Sequence, residues 1–289
     1  MANLKEIRNR ITSVGSTMQI TSAMKMVSAA KLKRAQDAVT QMRPYAGKLK
    51  EILANLSSSL DLSENAFSDS RTADNVLIVA ISSNRGLCGG FNNNVIKKTN
   101  LLITEDFANA NVKLLCLGKK VTDAFRRNEN RLETKSFGVE DIFGDLSFDN
   151  SSIIAQAIMD RFVGKEFDKV VVVYNTFVNA ATQEVLSEQF LPIIPTVSEG
   201  GSTGDYIYEP SKEEIVDELI PKSLKIQLYK SLLDSNASEH GARMTAMHKA
   251  TDNASELKRN LTLSYNKARQ AAITSEILEI VGGAEALNN

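Results

Sequence analysis

The sequence predicts an α/β protein in which a long antiparallel coiled coil of the N- and C-terminal helices is joined to a central α/β domain with a mostly parallel sheet. Three observations predict it. Both terminal segments carry apolar and small residues at alternating three- and four-residue spacing, the period of helices that pack along one seam. The segment between them alternates short apolar runs with helical stretches, the pattern of strands connected by helical crossovers. The terminal segments are also too long for a globule. At about 1.5 Å per residue, residues 4–60 make a rod of roughly 85 Å and residues 222–281 one of roughly 90 Å. A compact chain of 289 residues has a diameter of only about 50 Å. The two rods must project, most economically as an antiparallel pair. The expected domains are therefore 1–60, 75–195 and 210–287, the last pairing with the first.

In the N-terminal segment one seam runs through Leu4, Ile7, Ile11, Val14 and Met18, and resumes in phase at Leu32, Ala35, Val39, Met42, Ala46, Leu49, Leu53, Leu56 and Leu60. Between these runs the in-phase positions are Thr21, Lys25 and Ser28, all polar. There Ile20, Ala23, Met24, Met26, Val27, Ala29 and Ala30 spread apolar surface over the other faces. Two readings stand open: contact with something other than the coiled-coil mate, or packing on the central domain. Pro44 is expected to kink or interrupt the helix near Gln41–Arg43.

A polar linker, 61–74, ends where the pattern changes. Val76–Ile81 is an apolar run bounded by polar residues, read as a buried strand, and a glycine loop follows before a helix expected over 93–107. Val112–Leu117 reads as a second strand and Lys119–Arg127 as a second helix, with a further strand over 131–136. Ser151–Phe167 reads as a helix, Lys169–Phe177 as a valine-rich strand and Glu184–Phe190 as its hairpin partner. This Rossmann-like alternation implies a mostly parallel sheet. Pro192, Pro195 and Gly200–Gly204 mark the way out, and Pro210 and Pro221 bracket the start of the last helix.

The last helix carries the seam Met247, Ala250, Ala254, Leu257, Leu261, Ser264, Ala268, Ala271, Ser275 and Leu278. Its members are mostly small, so another backbone can approach closely. It reads as a stiff rod built to be gripped.

Charge is unevenly placed around a net of −1. Residues 1–50 carry ten Lys/Arg against two Asp/Glu, and residues 243–273 carry six against two. The stretch 51–242 carries 18 against 28. The rod is basic and the middle acidic, which suits an acidic protein surface. Nucleic acid is the lesser expectation, because no interleaved aromatics offer stacking and tryptophan is absent. No apolar run approaches the roughly 18 residues that span a bilayer, and the N-terminus lacks a signal-peptide pattern. Cys88 and Cys116 read as buried free thiols in a reducing compartment.

Catalytic chemistry is hard to assemble. Gly86-Leu-Cys-Gly-Gly90 follows a strand and precedes a helix, where a phosphate could be cradled. The spacing is neither that of a dinucleotide fingerprint nor of a P-loop. No acid ends the second strand to hold a ribose; Gly118 and Lys119 stand there. A structural turn is the better reading, with a dinucleotide-binding enzyme as the alternative. His240 and His248 are eight apart, and the position that would complete a zinc pair with His240 is Met244. No catalytic, metal or cofactor site is expected.

Three blocks carry a family resemblance across essentially the whole chain. They are Ile11-Thr-Ser-Val-Gly-Ser-Thr-Met-Gln-Ile-Thr-Ser-Ala-Met-Lys-Met-Val-Ser-Ala-Ala-Lys-Leu32, Asn84-Arg-Gly-Leu-Cys-Gly-Gly-Phe-Asn92, and Ser238-Glu-His-Gly-Ala-Arg-Met onward to Gly283-Ala284. With these the chain resembles the gamma-subunit family of F-type ATP synthases. The resemblance implies a central rotor shaft, non-catalytic, inside a ring of three alpha and three beta subunits. Its α/β domain would bind epsilon, and proton flow through the membrane c-ring would turn it, so that contact with the membrane is only indirect. Matched positions imply beta-subunit contacts at Met24, Lys25, Arg243, Arg269, Gln270 and Thr274, and c-ring contacts at Tyr206, Tyr208 and Glu209. The cysteine-bearing insertion of the photosynthetic branch is missing, so thiol control is not expected. The start of the chain so near the first block favours a bacterial protein, peripheral on the cytoplasmic face of the plasma membrane.

Overall fold

In the computed structural model, residues 4–57, 65–193 and 212–287 are described. The chain runs through α1 (Leu4–Ser57), β1 (Asn75–Ile81), α2 (Phe91–Leu101), β2 (Asn111–Leu117), α3 (Lys119–Ala124), β3 (Arg131–Leu132), α4 (Phe148–Val163), β4 (Lys169–Phe177), β5 (Gln183–Leu191) and α5 (Lys212–Leu287). It divides into two compact units. One combines the residues up to Val27 with those from Met244 onward, and the other is Ser28–Arg243.

The five strands form one sheet in the order β3-β2-β1-β4-β5. β1 is central and parallel to both β2 and β4, β2 is parallel to β3, and β5 returns antiparallel along β4 as an edge. β1 is apolar from Val76 to Ile81 because both its faces are covered there. Leu77, Val79 and Ile81 point into a core shared with Ile154, Ile158 and Phe162 of α4 and with Ile220, Leu224, Leu228 and Leu232 of α5. Val76, Ile78 and Ala80 point the other way, onto Val95 of α2 and Val121 of α3. The four α5 residues recur every fourth position, one stripe of a helix. β5, an edge strand less covered than β1, mixes polar with apolar residues and buries fully only Phe190 and Leu191.

Expected strands and helices lie within a few residues of those observed, with instructive exceptions. The strand expected over 131–136 stops at Leu132, and Thr134–Phe137 coils into a 3-10 turn that drops Phe137, fully buried, beneath the sheet. The helix expected over 93–107 begins at Phe91 and ends in a π turn, Leu102–Asp106. Pro44 does not interrupt α1, nor does Pro221 start α5, which begins nine residues earlier. In each case the carbonyl that loses its partner, on Thr40 or Asp217, belongs to an exposed residue and is free to bond water.

α1 follows the expected seam. Ile7, Thr21, Ser28, Leu32, Ala35, Val39 and Leu49 are its buried members, and of the polar positions Thr21 and Ser28 are buried as firmly as the apolar ones while Lys25 is half-buried. The side chains of Leu53 and Leu56, and Leu60 itself, lie outside the described residues.

Candidate interaction surfaces and the Arg243 lock

In the unit made by the two chain ends, α1 and α5 face each other through a ladder of polar contacts. Arg8 Nη2 donates to the Tyr265 hydroxyl at 3.1 Å and its guanidinium lies 5.8 Å from that ring's centroid. A Cβ on Gly15 would stand 3.8 Å from Lys258 Nζ, an ordinary contact, so the end of the Lys258 side chain lies against α1 at this position. The Thr251 hydroxyl lies 2.8 Å from Thr21 Oγ1, and Lys25 Nζ lies 3.2 Å from His248 Nδ1. As the α1 number rises the α5 number falls in step, so the pair is antiparallel.

These contacts correct alternate positions of the expected α5 seam: Met247, Ala254, Leu261 and Ala268 keep their place, while Thr251, Lys258 and Tyr265 face α1 where Ala250, Leu257 and Ser264 were expected. The positions facing α1 include Met247, Thr251, Ala254, Lys258, Leu261, Tyr265 and Ala268, a strict four-three repeat. Leu257 is 49% exposed and Leu278 is 66% exposed, and Ser264, Ala271 and Ser275 are exposed too. Alanine and serine give little contrast between neighbouring positions, so spacing alone placed every second member one residue off. The signal for the true positions was the larger side chains, Tyr265 and Lys258, which can span a gap that small residues leave.

Beyond the seam the surface is unusually apolar. Ile20, Met26 and Val27 on α1 are 60%, 65% and 58% exposed. On α5 every side chain described from Arg269 to Ala284 is exposed, Ile273, Ile277, Ile280 and Val281 among them. Arg269, Gln270 and Thr274 lie in this stretch, and the Thr274 hydroxyl donates back to the Gln270 carbonyl at 2.9 Å. Met24 and Lys25 are half-buried. Tyr206, Tyr208 and Glu209 lie outside the described residues.

Arg243 belongs to the other unit and is turned inward. Its side chain is 9% exposed. Nη2 bonds Glu239 Oε1 at 2.6 Å and the Arg85 carbonyl at 3.1 Å, and Nη1 donates to the Gly86 carbonyl. The glycine loop is thus occupied from within by a guanidinium. The rest of the loop is tied down as well. The Ser83 amide donates to Asn92 Oδ1 at 3.0 Å, the Phe91 amide to the Cys88 carbonyl, and Asn84 Nδ2 to both Asp141 oxygens. A phosphate needs converging N–H groups, whereas here two carbonyls converge on a cation. Gly118, at φ 105°, completes the packing: a Cβ there would lie 2.2 Å from the Ser82 carbonyl oxygen. That approach is why glycine, not a ribose-binding acid, ends β2.

Burial pushes the Cys88 thiol above its ordinary value against the opposing pull of Ser83 and Arg243, and pushes Cys116 up to about 12. Both thiols are unpaired and buried. His240 is lowered to about 4, first by burial and then by Lys31 and Arg243. Among the described residues no group of His, Cys, Asp and Glu could hold a metal, and no helix is long and apolar enough to cross a membrane.

A family model described as ATP synthase matches residues 3–287. The chain is 62% identical to an ATP synthase gamma chain of Flavobacterium psychrophilum over 289 residues, covering 99% of each. It is 61% identical to that of Flavobacterium johnsoniae over the full length of both. The chain belongs to the ATP synthase gamma chain family. As a member it is a non-catalytic subunit of ATP synthase, the rotor of its central stalk. Solved structures agree on the fold. A chain of the Euglena gracilis mitochondrial ATP synthase matches with TM-score 0.67 at 21% identity, over 98% of this chain and 94% of that one. A chain of the Tetrahymena thermophila central stalk and c-ring matches with TM-score 0.57 at 23% identity, over 80% and 99%.

Proposed function

We propose that this chain couples rotation of a membrane c-ring, driven by proton flow, to the conformational cycle of three catalytic beta subunits, which alternate with three alpha subunits around the shaft. The observation that carries the reading is the continuous exposure of α5 from Arg269 to Ala284 with large apolar residues in it. A helix exposed on all sides and bearing such residues calls for a surrounding partner. Interactions that break and re-form at each step must be weak, and exposed ion pairs at about 0–1 kcal/mol each meet that need.

Within this reading 1–60 and 210–287 are the shaft and 75–195 the α/β domain, which binds epsilon. Met24 and Lys25 face the acidic lever of beta, and Arg269, Gln270 and Thr274 meet its catch loop. Arg243 is proposed to lie opposite the same lever, in addition to making the internal contacts described above. The foot segment with Tyr206, Tyr208 and Glu209 meets the c-ring loops. The complex sits on the cytoplasmic face of a bacterial plasma membrane, and this chain meets the membrane only through the c-ring.

Reconstitution with cognate alpha and beta subunits tests the proposal. A three-to-three-to-one complex should form, hydrolyse ATP faster with this chain than without it, and turn an attached bead in steps. Absence of a complex, or hydrolysis indifferent to the chain, would sink the reading.

A further inference from the structure

The second and third blocks of the family resemblance lie far apart in sequence, and the fold brings them into contact. Four different interactions grip one turn of α5, Ser238–Arg243. The Ser238 hydroxyl, fully buried, donates to the Asn175 carbonyl of β4 at 3.1 Å. Gly241 lets the helix approach the end of β4: a Cβ there would stand 3.3 Å from Phe177 Cε2 and 3.4 Å from the backbone of Ala180. Ala242 packs with Cys88 and Phe91 of the glycine loop and the start of α2. Arg243, held by Glu239, fastens onto the carbonyls of Arg85 and Gly86. The two sides of the grip are themselves joined, because Asn175 Nδ2 donates to the Phe91 carbonyl at 3.4 Å.

A helix packed only by a stripe of leucines can roll, since apolar contact is non-directional. A buried guanidinium on two fixed carbonyls cannot roll without breaking charge-assisted hydrogen bonds and leaving a charge buried without its partners. Arg243 is also the last α5 residue of its compact unit. We propose that the Ser238–Arg243 turn and the glycine loop form a torsional lock, through which torque passes between the sheet and α5. Arg243 is its positioning residue. The lock rests on the rotor reading and gives the glycine loop a mechanical role in place of a phosphate site.

The test uses the reconstituted complex with the bead attached through Glu140→Cys, a position whose side chain is 76% exposed, and with both buried native thiols retained. During the pauses between steps, the width of the bead's angular distribution reads the compliance of the path from sheet to shaft. Arg243→Gln is expected to widen the distribution roughly 1.4-fold, because width goes as the inverse square root of stiffness and charge-assisted bonds are about twice as strong as the ordinary ones that can replace them; Arg243→Lys restores part of the stiffness. A contact that matters only for folding would lower the melting temperature and leave the width alone. If the parent complex rotates and both variants keep the parent's width, the lock is wrong and the rotor reading stands. If the parent does not rotate, the rotor reading fails and the lock fails with it. Should Arg243→Gln not assemble, Gly241→Ala decides, since its Cβ crowds Phe177 at 3.3 Å and loosens the fit of α5 on the end of β4 without removing a polar group. A wider distribution supports the lock and an unchanged one overturns it.

Discussion

The Thr251 hydroxyl donates to Thr21 Oγ1 at 2.8 Å, while the Thr21 hydroxyl itself donates to the Met18 carbonyl at 3.1 Å. Thr21 is only 8% exposed. Two helices that meet through small residues are thereby registered by a polar pair. Thr21→Val should cost about 0.5–1.5 kcal/mol, the usual net worth of one hydrogen bond. Thr251 keeps the Met247 carbonyl at 2.8 Å as a fallback, so Thr21→Val with Thr251→Val should cost less than the two single changes added together. Urea titration of the four chains of this double-mutant cycle measures it.

Stability should fall with acid in a window set by His240. Its folded value of about 4 lies below the ordinary 6.5, with Lys31 of α1 and Arg243 of α5 as the facing charges. The unfolded chain therefore binds more protons between these values, and stability is lost as pH falls from about 6.5 to about 4. His240→Leu should flatten that part of the pH–melting curve; an unchanged slope would remove His240 as its source.

Asp234 works in the opposite sense. It is 4% exposed, its Oδ1 lacks a hydrogen-bond partner, and burial raises its pKa against the pull of Lys230 and Arg43, with Glu188 adding to the rise. Such a carboxyl favours the fold when protonated, and that favour is lost as pH rises through the folded value. Asp234→Asn should therefore stabilise the chain at pH 7, by about 1 kcal/mol for relieving a buried, poorly paired group, with the gain vanishing in acid. Thermal melts at pH 7 and pH 4 compare the two.

Gly118→Ala should be among the most damaging single changes. The added Cβ meets a backbone carbonyl at 2.2 Å, and φ is 105°. Strained backbone of this kind costs on the order of 1–3 kcal/mol before the clash is counted. The yield of folded chain and its melting temperature should both drop, and near-parent behaviour would mean the loop shifts freely.

The isolated chain should be poorly soluble, because Ile273, Ile277 and Ile280 are 48%, 54% and 66% exposed. Changing all three to Gln should raise solubility and weaken assembly, since burial of each aliphatic side chain is worth about 1.5–3 kcal/mol at most. Light scattering of the free chain and subunit titration read the two effects.

The α1 seam was legible in the sequence even at Thr21 and Ser28, because heptad spacing is a local property of one helix and its polar members kept the phase. The strands β1, β2 and β4 were legible for the same reason: a run of Val, Leu and Ile covered on both faces needs no partner to be recognised. The sequence by itself thus determined the two long helices, the alternating α/β middle and the family. Tertiary structure decided which alternate positions of α5 face α1, since alanine and serine carry too little volume to distinguish neighbouring positions until Tyr265 and Lys258 are seen opposite Arg8 and Gly15. It also decided the direction of Arg243. A guanidinium goes where carbonyls converge, and those of Arg85 and Gly86 come from a turn about 157 positions earlier, a closeness that no local spacing records.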